Sequence, residues 1–71
     1  RRDVALLREL AWCHFILGDC VQADGFLKEA FESQPDNAYL IDMAIQVAIG
    51  LHDHQTAQTL LARLKLLESE A

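Results

Sequence analysis

The stretch Phe15-Ile16-Leu17-Gly18-Asp19-Cys20-Val21-Gln22-Ala23 closes one helical run and opens the next. Gly18 accepts a left-handed backbone at little steric cost and so suits a helix end. Asp19 follows as a starting cap, and Gln22 three residues on completes a capping-box pattern. Upstream, Val4, Leu7, Leu10, Ala11, His14 and Leu17 recur at three- and four-residue intervals, the period of one helix face, with Asp3 placed to cap the start. Downstream, Val21, Ala23, Phe26, Leu27, Ala30 and Phe31 form a second stripe. It stops at Pro35, which pushes the residue before it away from helical angles.

The pattern then recurs. Asp36 and Asn37 open a third run through Leu40, Ile41, Ala44, Ile45, Val47 and Ala48 to about Gly50. Leu51-His52-Asp53 is the next turn, with Asp53 as cap, and a fourth run carries Ala57, Leu60, Leu61, Leu64 and Leu67. The expected fold is all-α, with four helices and turns at 18–19, 34–37 and 51–53. Connections this short imply antiparallel neighbours. Shifting the chain by 34 residues lays Leu6 on Leu40, Leu7 on Ile41, Phe15 on Ile49, Leu17 on Leu51, Asp19 on Asp53, Ala23 on Ala57, Leu27 on Leu61 and Ala30 on Leu64. That is the period of one helix-turn-helix repeat class.

Residues 4–37 resemble a tetratricopeptide repeat, whose motif places are taken by Leu7, Leu10, Ala11, His14, Gly18, Ala23, Leu27, Ala30 and Pro35. His14 and Leu27 stand where that family usually has an aromatic. Residues 38–71 resemble a second, more degenerate copy. There Ile41, Ala44, Ile45, Ala48 and Ala57 fit the size pattern, His52 replaces the turn glycine and Ser69 the closing proline. The resemblance implies a single domain over 1–71, built from two stacked helix-turn-helix repeats, a fragment of an α-solenoid of the right-handed superhelix type. Small residues at Ala11, Ala23 and Ala30 suit helices packed near the short end of the usual 8–10 Å separation.

The resemblance also implies a concave surface lined by the first helix of each repeat. Motif position assigns it Ala5, Arg8, Trp12, Phe15 and Ile16 from the first copy and Tyr39, Asp42, Met43, Gln46 and Ile49 from the second. Aromatic residues and methionine are enriched in protein-binding patches, so the expected role is to bind another polypeptide, as a helix or an extended peptide. The alternative for Trp12, Phe15 and Ile49 is ordinary packing between helices. Some members of the family clamp a terminal carboxylate with cationic and amide side chains. Here only Arg8 is on offer, faced by Asp42, so the clamp is not expected.

Composition narrows the remaining classes. The chain has 71 residues, 52% of them hydrophobic, three Gly, one Pro and a formal net charge of −5. That charge disfavours nucleic-acid phosphate, including an RNA-reading helical repeat, and an anionic membrane surface. No apolar run reaches the ~20 residues of a membrane span. Cys13 and Cys20 are expected to be reduced thiols filling small apolar spaces, which favours a cytoplasmic setting. An opening at Arg1-Arg2 without Met reads as a piece of a longer chain.

Catalysis and cofactors find no constellation. Cys13 and His14 are adjacent and face about 100° apart on a helix, so they do not form a nucleophile–base dyad. His52-Asp53-His54 offers metal-ligating residue types, but two His two apart at a turn rarely address one ion, and no metal is expected. Neither enzymatic activity nor a cofactor is expected. A second function of another class is self-association, as a homo-oligomer. The fourth helix has more leucines than one face hides, and Leu60, Leu64, Leu66 and Leu67 are the candidates. Leu60, Leu61, Leu64 and Leu67 are expected to pack back on the third helix, with Leu66 pointing elsewhere and Arg63, Lys65 and Glu68 as rim.

Overall fold

The computed structural model describes residues 3–70. Arg1, Arg2 and Ala71, included in the expected domain, lie outside the described residues. Four α-helices follow one another: α1 (Val4–Ile16), α2 (Cys20–Ser33), α3 (Ala38–Gly50) and α4 (His54–Glu70). Helix α1 packs along α2 and α3 along α4, making two helical hairpins, and α2 packs against α3 to join them.

Side-chain oxygens satisfy the first free N–H groups of each helix, as helix starts require. Asp3 accepts from Ala5 N–H at 2.9 Å and Asp19 from Gln22 N–H at 3.2 Å. Asn37, rather than Asp36, caps α3 by accepting from Tyr39 and Leu40 N–H. Asp53 accepts from Thr56 N–H at 3.2 Å and from the Thr56 hydroxyl at 2.7 Å. Those two hydrogen bonds from Thr56 hold the Asp53 carboxyl below its ordinary value of 3.8.

The two hairpin turns match bond for bond. Gly18 N–H donates to Phe15 C=O and Asp19 N–H to His14 C=O; thirty-four residues on, His52 N–H donates to Ile49 C=O and Asp53 N–H to Ala48 C=O. Each pair makes the two hydrogen bonds of a Schellman helix end, and the residue giving the second also caps the following helix with its carboxylate. The left-handed residue is Gly18 at φ 85° in the first turn and His52 at φ 61° in the second. The two turns, 34 residues apart, therefore share one backbone geometry although only the first has a glycine at the left-handed place.

Two linked clusters form the core. One joins Leu7 and Ala11 of α1, Ala23, Leu27 and Ala30 of α2, and Leu40, Ala44 and Val47 of α3. The other joins Ile41, Ile45 and Ala48 of α3 to Ala57 of α4, with Leu60, Leu64 and Leu67 packed against it and Phe31 touching both clusters. Helix α3 is buried on two sides because it lies between α2 and its own hairpin partner α4, which explains its six buried apolar residues. Three expected core residues are on the outside instead. Leu17, Val21 and Leu61 are exposed, because the first two flank the turn and no helix covers that side of α4. The thiols also differ from expectation. Both are free, but Cys13 is exposed on α1, and only Cys20 packs into the core.

The hairpins meet closely at one corner. A Cβ on Gly50 would lie 2.5 Å from the Cys20 sulfur, so the end of α3 can approach the start of α2 only without a side chain. At the opposite corner Arg63 donates to the Pro35 carbonyl at 2.7 Å and to Asp36 at 3.0 Å, tying α4 to the loop between hairpins. Arg63 was expected at the rim of an intermolecular contact; it is engaged within the chain.

Candidate partner-binding groove

Helices α1 and α3 lie side by side, and their outward residues leave a groove of about 620 Å³ between them. Arg8, Glu9 and Trp12 form one wall; Tyr39, Asp42, Met43 and Gln46 form the other. The spacing follows from helix geometry. Positions 8 and 9 stand four and three residues before 12, and positions 42 and 43 stand three and four residues after 39 and four and three before 46, so each set clusters on one side of its helix.

The groove carries two aromatic side chains that folding does not hide. Trp12 is 46% exposed and Tyr39 74% exposed. Both are placed by neighbours. The Trp12 ring sits 5.8 Å from Phe15, tilted by 35°, and Phe15 in turn packs against the core. The Arg8 guanidinium lies 6.0 Å from the centre of the Tyr39 ring, a cation–π spacing that links the two walls. Met43 is half-buried with one side in the core, giving the groove an adaptable apolar floor. Glu9 and Asp42 supply carboxylates and Gln46 an amide.

Six of the ten expected groove residues are thus brought together: Arg8, Trp12, Tyr39, Asp42, Met43 and Gln46. Ala5, Phe15, Ile16 and Ile49 are not. Phe15 braces Trp12 from below, and Ile49 is exposed nearer the far end of α3, by the turn. Glu9 was missed, although it stands 34 residues before Met43 and the shift that aligned the repeats points to it.

The other expected sites fare differently. Of the self-association candidates, Leu60, Leu64 and Leu67 pack against the second core cluster, and only Leu66 is left exposed. His14 does not pair with Cys13. Its ring lies 5.2 Å from Phe26, and its Nδ1 is 3.8 Å from Asp19. Among the described residues, no three His, Cys, Asp or Glu converge as a metal site, and no helix is long and apolar enough to cross a membrane.

A smaller cleft of about 270 Å³ lies among α2, α3 and α4, with Phe31 and Leu60 beneath and the Asp24–Lys28 ion pair at its edge. Its polar groups are already engaged with one another, so it presents less to a partner than the aromatic groove. Comparison of the chain with protein-family models, with curated proteins and with solved structures gave no match.

Proposed function

We propose that the chain is a pair of tetratricopeptide-type repeats whose α1–α3 groove binds a segment of another polypeptide. The observation that carries this reading is the convergence of exposed Trp12 and Tyr39 on one groove, each held in place by a neighbour. Such anchors bind because little conformational freedom remains to be lost. The matched hydrogen bonds of the two turns support the repeat assignment. Binding rather than catalysis fits the groove, whose carboxylates and amide, from Glu9, Asp42 and Gln46, are exposed.

The test uses a displayed peptide library selected against the chain. Trp12 is the only tryptophan and reports binding by its fluorescence. Selected segments should lose about tenfold or more in affinity on Tyr39→Ala, the scale of an anchor worth over 1.4 kcal/mol. Val21→Lys, on an exposed residue away from the groove, should leave affinity unchanged. Peptides that bind Tyr39→Ala and Gln46→Lys as tightly as the native chain, or a library that yields no binder, would refute the reading.

A further inference from the structure

The two ends of the molecule carry the two halves of its own internal interface. Inside the chain, Leu40, Ala44 and Val47 of α3 are buried against Leu27 and Ala30 of α2. The residues 34 before the α3 set are Leu6, Leu10 and Cys13, on the outer side of α1; those 34 after the α2 set are Leu61 and Leu64, on α4. Leu40 is 0% exposed and its counterpart Leu6 50%; Leu27 is 1% exposed and its counterpart Leu61 42%. The difference in each pair is the hairpin that covers one member and not the other.

We propose that a second copy of this chain docks the outer side of its α1 on α4 of the first as α3 docks on α2, so that each face covers the other. The contact is head-to-tail, so it joins unlike faces and leaves one of each free at the ends. The occupant is argued from continuity with the internal interface. The face that fits α4 by the chain's own packing is the α3 face, and α1 presents that face at matching positions. The joint also sets α1 of the second copy beside α3 of the first, extending the aromatic groove across the boundary.

The joint is looser than its template. Leu10 stands for Ala44, Leu64 for Ala30, and Ile16 for Gly50 at the closest corner. Larger residues widen the separation between helices. Lys65 stands for Phe31, so its stem covers apolar surface while its ammonium reaches water. Association is therefore weak and concentration-dependent. Leu66, at the place of Glu32, lies off this face and takes no part.

Sedimentation of the full chain and three variants tests this. The native chain should gain mass with concentration. Leu6→Glu and Leu61→Glu, both at exposed positions and checked for unchanged helix content by circular dichroism, should each stay monomeric. An equimolar mixture of the two should form dimers, because one retains an intact α1 face and the other an intact α4 face. Leu66→Glu should associate like the native chain. A native chain that remains monomeric at the highest attainable concentration, or a mixture that does, would overturn the proposal. So would a Leu6→Glu variant that associates like the native chain, or a Leu66→Glu variant that does not, since either places the contact elsewhere.

Discussion

His52 and Gly18 occupy the same place in matching turns, and they do so at unequal cost. A left-handed backbone crowds the Cβ of an L-residue, a penalty of roughly 1–2 kcal/mol that glycine escapes. His52→Gly should therefore stabilise the chain by about 0.5–1 kcal/mol, the remainder being lost to the freer unfolded chain. Gly18→Ala, at φ 85°, should destabilise it by about 1 kcal/mol or more. Urea unfolding of the two variants checks both signs, and a His52→Gly variant less stable than native would contradict the argument. Gly50 acts by space instead. Gly50→Ala gains helix propensity but drives a methyl into the Cys20 sulfur, so a net loss of roughly 1–3 kcal/mol is expected. Cys20→Ala in the same chain should cancel most of it, and additive losses in a double-mutant cycle would show that the clash is not the cause. The turn positions themselves were legible in the sequence, because Asp19 and Asp53 mark them. The left-handed state of His52 was legible only through the 34-residue shift, since nothing in its own chemistry announces it.

Each helix is started by a side-chain cap, and the cap of α4 is sensitive to acid. Hydrogen bonds from Thr56 depress the Asp53 carboxyl in the folded chain, so the ionised form favours folding. Its contribution is complete above the ordinary value of 3.8 and fades as pH falls through the lower folded value. Stability of the native chain should thus fall more steeply over that acid range than stability of Asp53→Asn, which keeps a capping oxygen without the charge. Urea midpoints measured on both chains down the acid range check this; parallel curves would refute it. Helix α4 also depends on Arg63. Its ion pair with Asp36 is exposed and worth little, but the bond to the Pro35 carbonyl fixes the loop between hairpins. Arg63→Ala should cost about 0.5–1.5 kcal/mol and speed amide exchange around Asn37; unchanged exchange there would argue against a tie. At this scale periodicity located every helix but did not say which neighbour covers which side. That is why α3, enclosed on two sides, matched its expected face fully, whereas Leu17, Val21 and Leu61 did not. Arg63 was invisible as a tie because it reaches 28 residues back, beyond any local pattern.

At the scale of the molecule, two helical hairpins are set side by side so that α1 and α3 share an outer surface. Their packing residues make the core, and the residues between those make the groove. Most of the groove was legible, because the 34-residue shift pairs Arg8 with Asp42 and Trp12 with Gln46 across its walls. The division of labour between Trp12 and Phe15 was not. Both are aromatic and three apart, and only the tertiary fit shows Phe15 turned inward to brace Trp12. The central claim is that this shared surface, rather than the leucines of α4, receives a partner polypeptide. The most direct measurement is amide and methyl chemical-shift mapping of the chain with a selected peptide bound. The largest shifts should fall on Arg8, Trp12, Tyr39, Asp42, Met43 and Gln46; shifts concentrated on Leu61, Leu66 and their neighbours in α4, with the groove unmoved, would contradict it.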